Sequence, residues 1–204
     1  MPACRWPCCN QHASISLFFG DNEVMIAPRL CMTAAGLVVY NQQVLLVKHT
    51  KLGIWLAPGG HIDEHELPHI AALREVQEET GIAAVIHSVV PLPANHDSEY
   101  LPVPLLANLH WVAQDNYDAR CQSADTSVPH QTKLWPRGCE QHMVWLYLMT
   151  PVNPDQPTTR NERESTEIGW FKADQVMSLQ TTEDIRAEIL FALNFAATNL
   201  TASN

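Results

Sequence analysis

GHIDEHELPHIAALREVQEETGI, Gly60 to Ile82, is the stretch on which the reading of this chain turns. From Leu67 to Thr80 the residues are strong helix formers, with Pro68 where a first-turn proline is tolerated and Gly81 where a helix ends. On such a helix Glu75, Glu78 and Glu79 fall at i, i+3 and i+4, so their carboxylates project from one face within about 5–6 Å of one another. Like charges at that spacing repel, and something must compensate. A cluster of hard oxygen donors suits Mg2+ or Mn2+, and the lack of Cys or His on that face speaks against zinc. Arg74 stands four residues before Glu78, and Glu66 precedes the helix where its charge suits the positive end of the macrodipole. Ile70, Leu73 and Val76, spaced by three, predict one buried stripe. Ala71 and Ala72 share the carboxylate face and leave room there for a phosphate. Three glutamates alone would fit a solvated acidic face equally well.

Upstream, Thr33–Tyr40 and Val44–His49 are β-rich runs around the polar turn 41–43, which predicts a hairpin. Trp55 to Ala57 continues extended into Pro58-Gly59-Gly60, read as a turn whose glycines take positive φ. Downstream, Ala83–Val90, Leu105–Val112, Met143–Met149 and a short Ile168–Phe171 read as strands. Glu183 to Ala197, with Ile185, Ile189 and Leu193 at helical spacing, predicts a closing amphipathic helix. The polar stretch 113–142 is too long for a structural loop and reads as disorder or as a lid on the substrate side. A second irregular stretch runs over 150–166. Residues 1–30 carry Pro2, Pro7 and Pro28 and no clear period, which predicts an irregular extension with a short helix around 23–27, ahead of one domain at 31–204. Strands outnumber helices and the two interleave, so the expected class is α/β (α+β), a mixed sheet with helices packed on it.

The chain has 204 residues, 46% of them hydrophobic, enough to bury a core. Twelve Lys and Arg against 22 Asp and Glu give a net charge of −10, and the 17% charged fraction excludes charge-driven disorder. No Lys/Arg-rich stretch occurs, so no stable nucleic acid binding is expected. No apolar run approaches the ~20 residues that span a bilayer, and Ile15–Phe19 is too brief for a signal-peptide core, so the expected compartment is the cytoplasm. The six cysteines are then expected to stay thiols. Cys4, Cys8, Cys9 and His12 crowd together, so a zinc site there competes with the plainer reading of a frayed terminus.

Gly60, Glu66, Arg74, Glu75, Val76, Glu78, Glu79, Gly81 and Ile82 together match the pattern G-x5-E-x7-R-E-U-x-E-E-x-G-U, with U aliphatic, at every position. In this the sequence resembles the Nudix (MutT-like) hydrolases. The hairpin, Trp55, the late Trp170-Phe171 and the terminal helix are also similar to that family, so the resemblance spans about residues 33–197. It implies a Nudix-type α/β/α sandwich with a mixed β-sheet. It also implies metal-dependent attack of water on the pyrophosphate of a nucleoside diphosphate joined to another group: an NTP, a nucleotide sugar, ADP-ribose or a dinucleoside polyphosphate. By that resemblance Glu75, Glu78 and Glu79 would hold Mg2+ or Mn2+ with the carbonyl of Gly59 or Gly60 assisting, and Arg74 would pair with Glu66. A carboxylate would accept the proton of water. A further glutamate before the late Trp is implied, with Glu164 the first choice and Glu167 and Glu162 behind it.

Among residues that the family uses to set substrate preference, Asp97 and Tyr100 stand past the Gly60–Ile82 pattern, the Nudix box, and Tyr100 leans toward dinucleoside polyphosphates. Lys48, His49 and Lys51 are candidates for phosphate or base contact, though solvation beside a turn explains them as well. His65 and His69, at i and i+4, could bind a metal, as could His61, but the implied metal site is the glutamate face. The expected partner is a small nucleotide, with a homodimer left open and no membrane. A silent nucleotide-sensing Nudix domain and an isoprenoid-diphosphate isomerase are the competing classes. Both depart from the box, which here is intact.

Overall fold

Strand β1 (Leu30–Tyr40) and strand β2 (Gln43–His49) form the anticipated hairpin. They turn through Asn41 and Gln42, whose φ angles of 48° and 59° match the twist of paired strands. The computed structural model describes residues 26–94 and 97–200. β1 is buried almost continuously from Thr33 to Val39, the mark of a strand covered on both faces. One edge of β1 pairs in parallel with β7 (Gln141–Pro151), from Leu30 opposite Gln141 to Val38 opposite Met149. Its other edge takes β4 (Gly59–His61) along its first half and β2 at its far end.

β2 carries β8 (Ser165–Lys172) and the two-residue β3 (Trp55–Leu56). β7 carries β6 (Leu106–Trp111) and β5 (Ala84–Ile86). Among the described residues the result is one mixed sheet of eight strands, with only the β1–β7 pair parallel. Alternation along β1 sorts the core. Ala34 and Val38 pack with Ala71, Ala72 and Val76 of α1 (Pro68–Thr80), while Ala35, Leu37 and Val39 pack with Ile189, Ala192 and Leu193 of α4 (Glu183–Asn199). Helices therefore cover both faces, an α/β/α sandwich. Two short helices, α2 (Gln114–Cys121) and α3 (Ala173–Val176), complete the elements described.

Several expectations are corrected. Pro58-Gly59-Gly60 is not a turn with positive-φ glycines: Gly59 and Gly60 lie in β4 against β1. They are glycines because of close approach, since a Cβ on Gly59 would come within 2.5 Å of Ala35 Cβ. The buried stripe of α1 is not Ile70, Leu73 and Val76. Ile70 is 46% exposed, and the helix buries Ala71, Ala72, Glu75, Val76, Glu79 and Thr80. Gly36 explains this, because a Cβ there would sit 2.4 Å from Val76 Cγ2, so helix and sheet meet too closely for a large aliphatic stripe. Ala71 and Ala72 accordingly fill core space and leave none for a phosphate.

The 83–90 strand shrinks to Ala84–Ile86, while β8 and β7 outrun their expected limits. The 113–142 stretch is not disordered. It contains α2 and is pinned by Arg120, which donates to both oxygens of the fully buried Glu140 at 2.6 and 2.7 Å and to the carbonyls of Thr126 and Ala27. The cysteines are not all thiols: Cys31 and Cys139, 108 residues apart, form a disulfide, brought together by the parallel β1–β7 register. Cys121 is free. Cys4, Cys8, Cys9 and His12 lie outside the described residues, as does most of the helix expected over 23–27, of which 26 and 27 are irregular. Among the described residues no helix is long and apolar enough to cross a membrane.

Candidate active site

Helix α1 begins at Pro68 with no side-chain cap on its Leu67 N-cap, and ends on Gly81 at φ 72°, whose N–H donates to the Gln77 carbonyl. Its entry is held by Arg74. Nε and Nη2 donate in parallel to Glu66 Oε1 and Oε2 at 2.8 and 2.9 Å, a bidentate fork that only a guanidinium can make. Nη2 also donates to the His61 carbonyl at 3.1 Å, and Nη1 to Glu75 Oε1 at 2.8 Å and Glu78 Oε2 at 3.2 Å. One side chain thereby ties loop, strand β4 and helix together. Glu66 in turn accepts from the Asp63 N–H at 3.0 Å. The Arg74 guanidinium holds Glu66 below the usual carboxylate range, and Glu66 raises Arg74.

The three helix glutamates fall in two environments. Glu78 is exposed, whereas Glu75 and Glu79 are 9% and 5% exposed because they continue the Ala71 stripe onto the sheet. Glu79 Oε2 accepts from the Gly59 N–H at 3.3 Å. Burial, then the charges of Glu75 and Glu164, push Glu79 up to about 8 against that bond. Burial raises Glu75 too, with Arg74 opposing. Gly60 makes room for this arrangement, since a Cβ there would stand 2.4 Å from Glu75 Oε1.

Glu164 belongs to the segment before β8, which is stitched to the end of α1. The Thr159 N–H donates to the Thr80 carbonyl at 2.8 Å and the Asn161 N–H to the Glu79 carbonyl at 3.2 Å. Asn161 Nδ2 then donates to Glu164 Oε2 at 3.0 Å, and the Glu164 charge acts on both Glu75 and Glu79. Asn161 is the positioning residue that sequence reasoning missed, and no spacing in the chain signals it. Glu167 is instead paired with Lys48 at 2.7 Å, and Glu162 with Arg160 at 3.3 Å. His49 Nδ1 accepts from the Lys51 and Leu52 N–H groups, so it shapes a turn. Asp97, Tyr100 and His65 are exposed.

The residues fit a hard divalent cation. Two buried carboxyls, with the charge of Glu75 raising Glu79 and that of Glu164 raising both, want a positive charge that Arg74 alone does not deliver to Glu79. Glu75, Glu78, Glu79 and the Gly59 or Gly60 carbonyl offer such a cation an all-oxygen set.

A family model described as the NUDIX domain matches residues 32–193, from β1 into α4. The RNA pyrophosphohydrolase of Erythrobacter litoralis is 29% identical over 157 residues, a span that takes in 71% of this chain and 78% of that protein. A NUDIX-family hydrolase from Clostridium perfringens superposes with a TM-score of 0.55 at 21% identity, covering 80% of this chain and 96% of that one. The MutT NUDIX hydrolase from Burkholderia pseudomallei gives 0.52 at 19%, with 81% and 97% covered. These two likenesses speak for the fold, and the match of the family model extends it to the box and its frame: the chain belongs to the Nudix family of hydrolases.

Proposed function

We propose that the chain hydrolyses the pyrophosphate linkage of a nucleoside diphosphate joined to another group, with Mg2+ or Mn2+ on Glu75, Glu78 and Glu79. The observation that carries this reading is the buried, charge-crowded pair Glu75 and Glu79 beside the Arg74–Glu66 anchor. When bound, the cation neutralises charge on the phosphoanhydride oxygens and polarises the phosphorus. Arg74 fixes the angle between loop and helix and so the relative positions of the carboxylates. Glu164, exposed and held by Asn161, is the acceptor we assign for the proton of the attacking water.

The name of the Erythrobacter relative, an RNA pyrophosphohydrolase, supports a pyrophosphate carried on RNA as one candidate, beside NTPs, nucleotide sugars, ADP-ribose and dinucleoside polyphosphates. The intact box favours an enzyme over a silent sensor or an isomerase. The proposal places the hydrolase domain at 31–204, with 1–30 as an extension, acting in the cytoplasm on a nucleotide-type substrate. A phosphate-release screen over these substrates, RNA included, with Mg2+, tests it. Turnover of at least one that stops with EDTA is expected, and full turnover in metal-free buffer would sink the mechanism.

A further inference from the structure

The pairings of β1 set a row of soft donors on one side of the sheet, away from the glutamates. Cys31 stands opposite His142 on β7, and His142 stands opposite His110 on β6. Thr33, two residues on from Cys31 and so on the same face, stands opposite His61 on β4. Cys139 enters the row from the turn before β7, bonded to Cys31 and with its Sγ 3.4 Å from His61 Nε2. The donor atoms of Cys31, His61 and Cys139 all lie within 4.8 Å of one another, the one such group of three among the described residues. The His142 ring meets that of His61 edge-on with centroids 5.0 Å apart, and its buried Nε2 has no hydrogen-bond partner. A buried imidazole nitrogen left unspent on a ring packed against His61 calls for an explanation.

We infer that Cys31, Cys139 and His61 form a second metal site, for a zinc-class divalent cation, which opens when the disulfide is reduced. Two thiolates and an imidazole are the donors of zinc and not of Mg2+, and the fourth position of the tetrahedron is left to water, since His142 packs on His61 but lies outside the group of three. A disulfide sulfur is not a thiolate, so bridge and metal exclude each other. Passage between them balances by thiol exchange. A dithiol reductant supplies two electrons and two protons, the S–S bond breaks into two thiols, and the reductant leaves as its own disulfide. The cation then displaces both thiol protons to solvent. Either state clamps His61, whose carbonyl anchors Arg74.

The test uses the full chain, reduced with a phosphine, stripped with EDTA and titrated with Co2+ as a spectroscopic stand-in for Zn2+. Expected is a thiolate-to-cobalt charge-transfer band that saturates with this site, is displaced by Zn2+ and not by Mg2+, and never develops in the unreduced protein. The band should vanish in the Cys31→Ser, Cys139→Ser double variant and weaken at least ~10-fold in affinity in His61→Gln. It should persist when Cys4, Cys8 and Cys9 are changed to Ser, and in Glu78→Gln. Alkylation mapped by mass spectrometry on the wild type covers the case of a double variant that fails to fold: Zn2+ should shield Cys31 and Cys139 from iodoacetamide. Absence of the band in folded, reduced wild type, or its survival in the double variant, or no shielding of these two thiols, overturns the proposal.

Discussion

Replacing Glu79 by Gln removes a charge that the fold holds at a disadvantage, and the size of that disadvantage can be worked out. In the metal-free protein, burial and the charges of Glu75 and Glu164 lift Glu79 from 4.5 to about 8. The folded state thus holds this proton more tightly than the unfolded chain. The stability it brings is complete below about pH 4.5 and is lost as the pH rises through about 8. At about 1.4 kcal/mol per pH unit, the loss across that window is on the order of 3–5 kcal/mol. The Glu79→Gln variant stays neutral throughout, and its amide oxygen can still accept from the Gly59 N–H. Melting in EDTA should therefore coincide for the two proteins near pH 4.5 and favour the variant near pH 8. At about 2–4 °C per kcal/mol, that gap is roughly 6–20 °C. Added Mg2+ should narrow it by stabilising the charged carboxylate of the wild type alone, while kcat of the variant falls at least ~100-fold. A gap that stays constant from pH 4.5 to pH 8 would refute the account of Glu79 as a crowded, buried carboxyl.

Arg74→Lys keeps the charge, but one ammonium cannot span Glu66, Glu75 and the His61 carbonyl at once. Steady-state kinetics should show kcat lower by on the order of 100-fold with KM changed far less, and a steep rise in KM at constant kcat would put Arg74 on the substrate. In Gly60→Ala the new Cβ must displace Glu75 Oε1, 2.4 Å away and held by Arg74; activity should fall at least ~10-fold with the circular dichroism spectrum retained. Glu140→Gln strands the guanidinium of Arg120, itself 4% exposed. Urea unfolding should report about 3–5 kcal/mol lost, and a loss under about 1 kcal/mol would show that the pair does not need its charges.

What the chain discloses by itself is what repeats locally. The hairpin, the extent of α1 and the closing helix follow from periods and caps within a dozen residues. The glutamate spacing is likewise local. Its environment is not: nothing in 60–82 reveals that Gly36 draws the helix so near the sheet that Glu75 and Glu79 are buried while Ile70 faces outward. β4 escapes notice because Gly59 and Gly60 have no strand preference and are extended only by pairing with β1. The 113–142 stretch is polar by count, yet one buried pair, Arg120 with Glu140, orders it from 20 residues apart. Cys31 and Cys139 are joined by a register that local patterning cannot supply.

The central ladder also dictates how the chain meets the world while it is being made. β1 leaves the ribosome with β2, β4 and α1 close behind, but the strand that completes its parallel edge ends only at Pro151. At about 5–20 residues per second, the wait is roughly 5 to 20 s. Throughout it, the edge from Leu30 to Val38 has no permanent partner, and α1 lacks the part of its floor that Tyr147 and Met149 later provide. Pairing over so long a loop is slow to nucleate once it becomes possible. The nascent hairpin is thus an open sheet margin on a half-finished protein, the kind of surface that holding chaperones shield and that neighbouring polysomes can entangle.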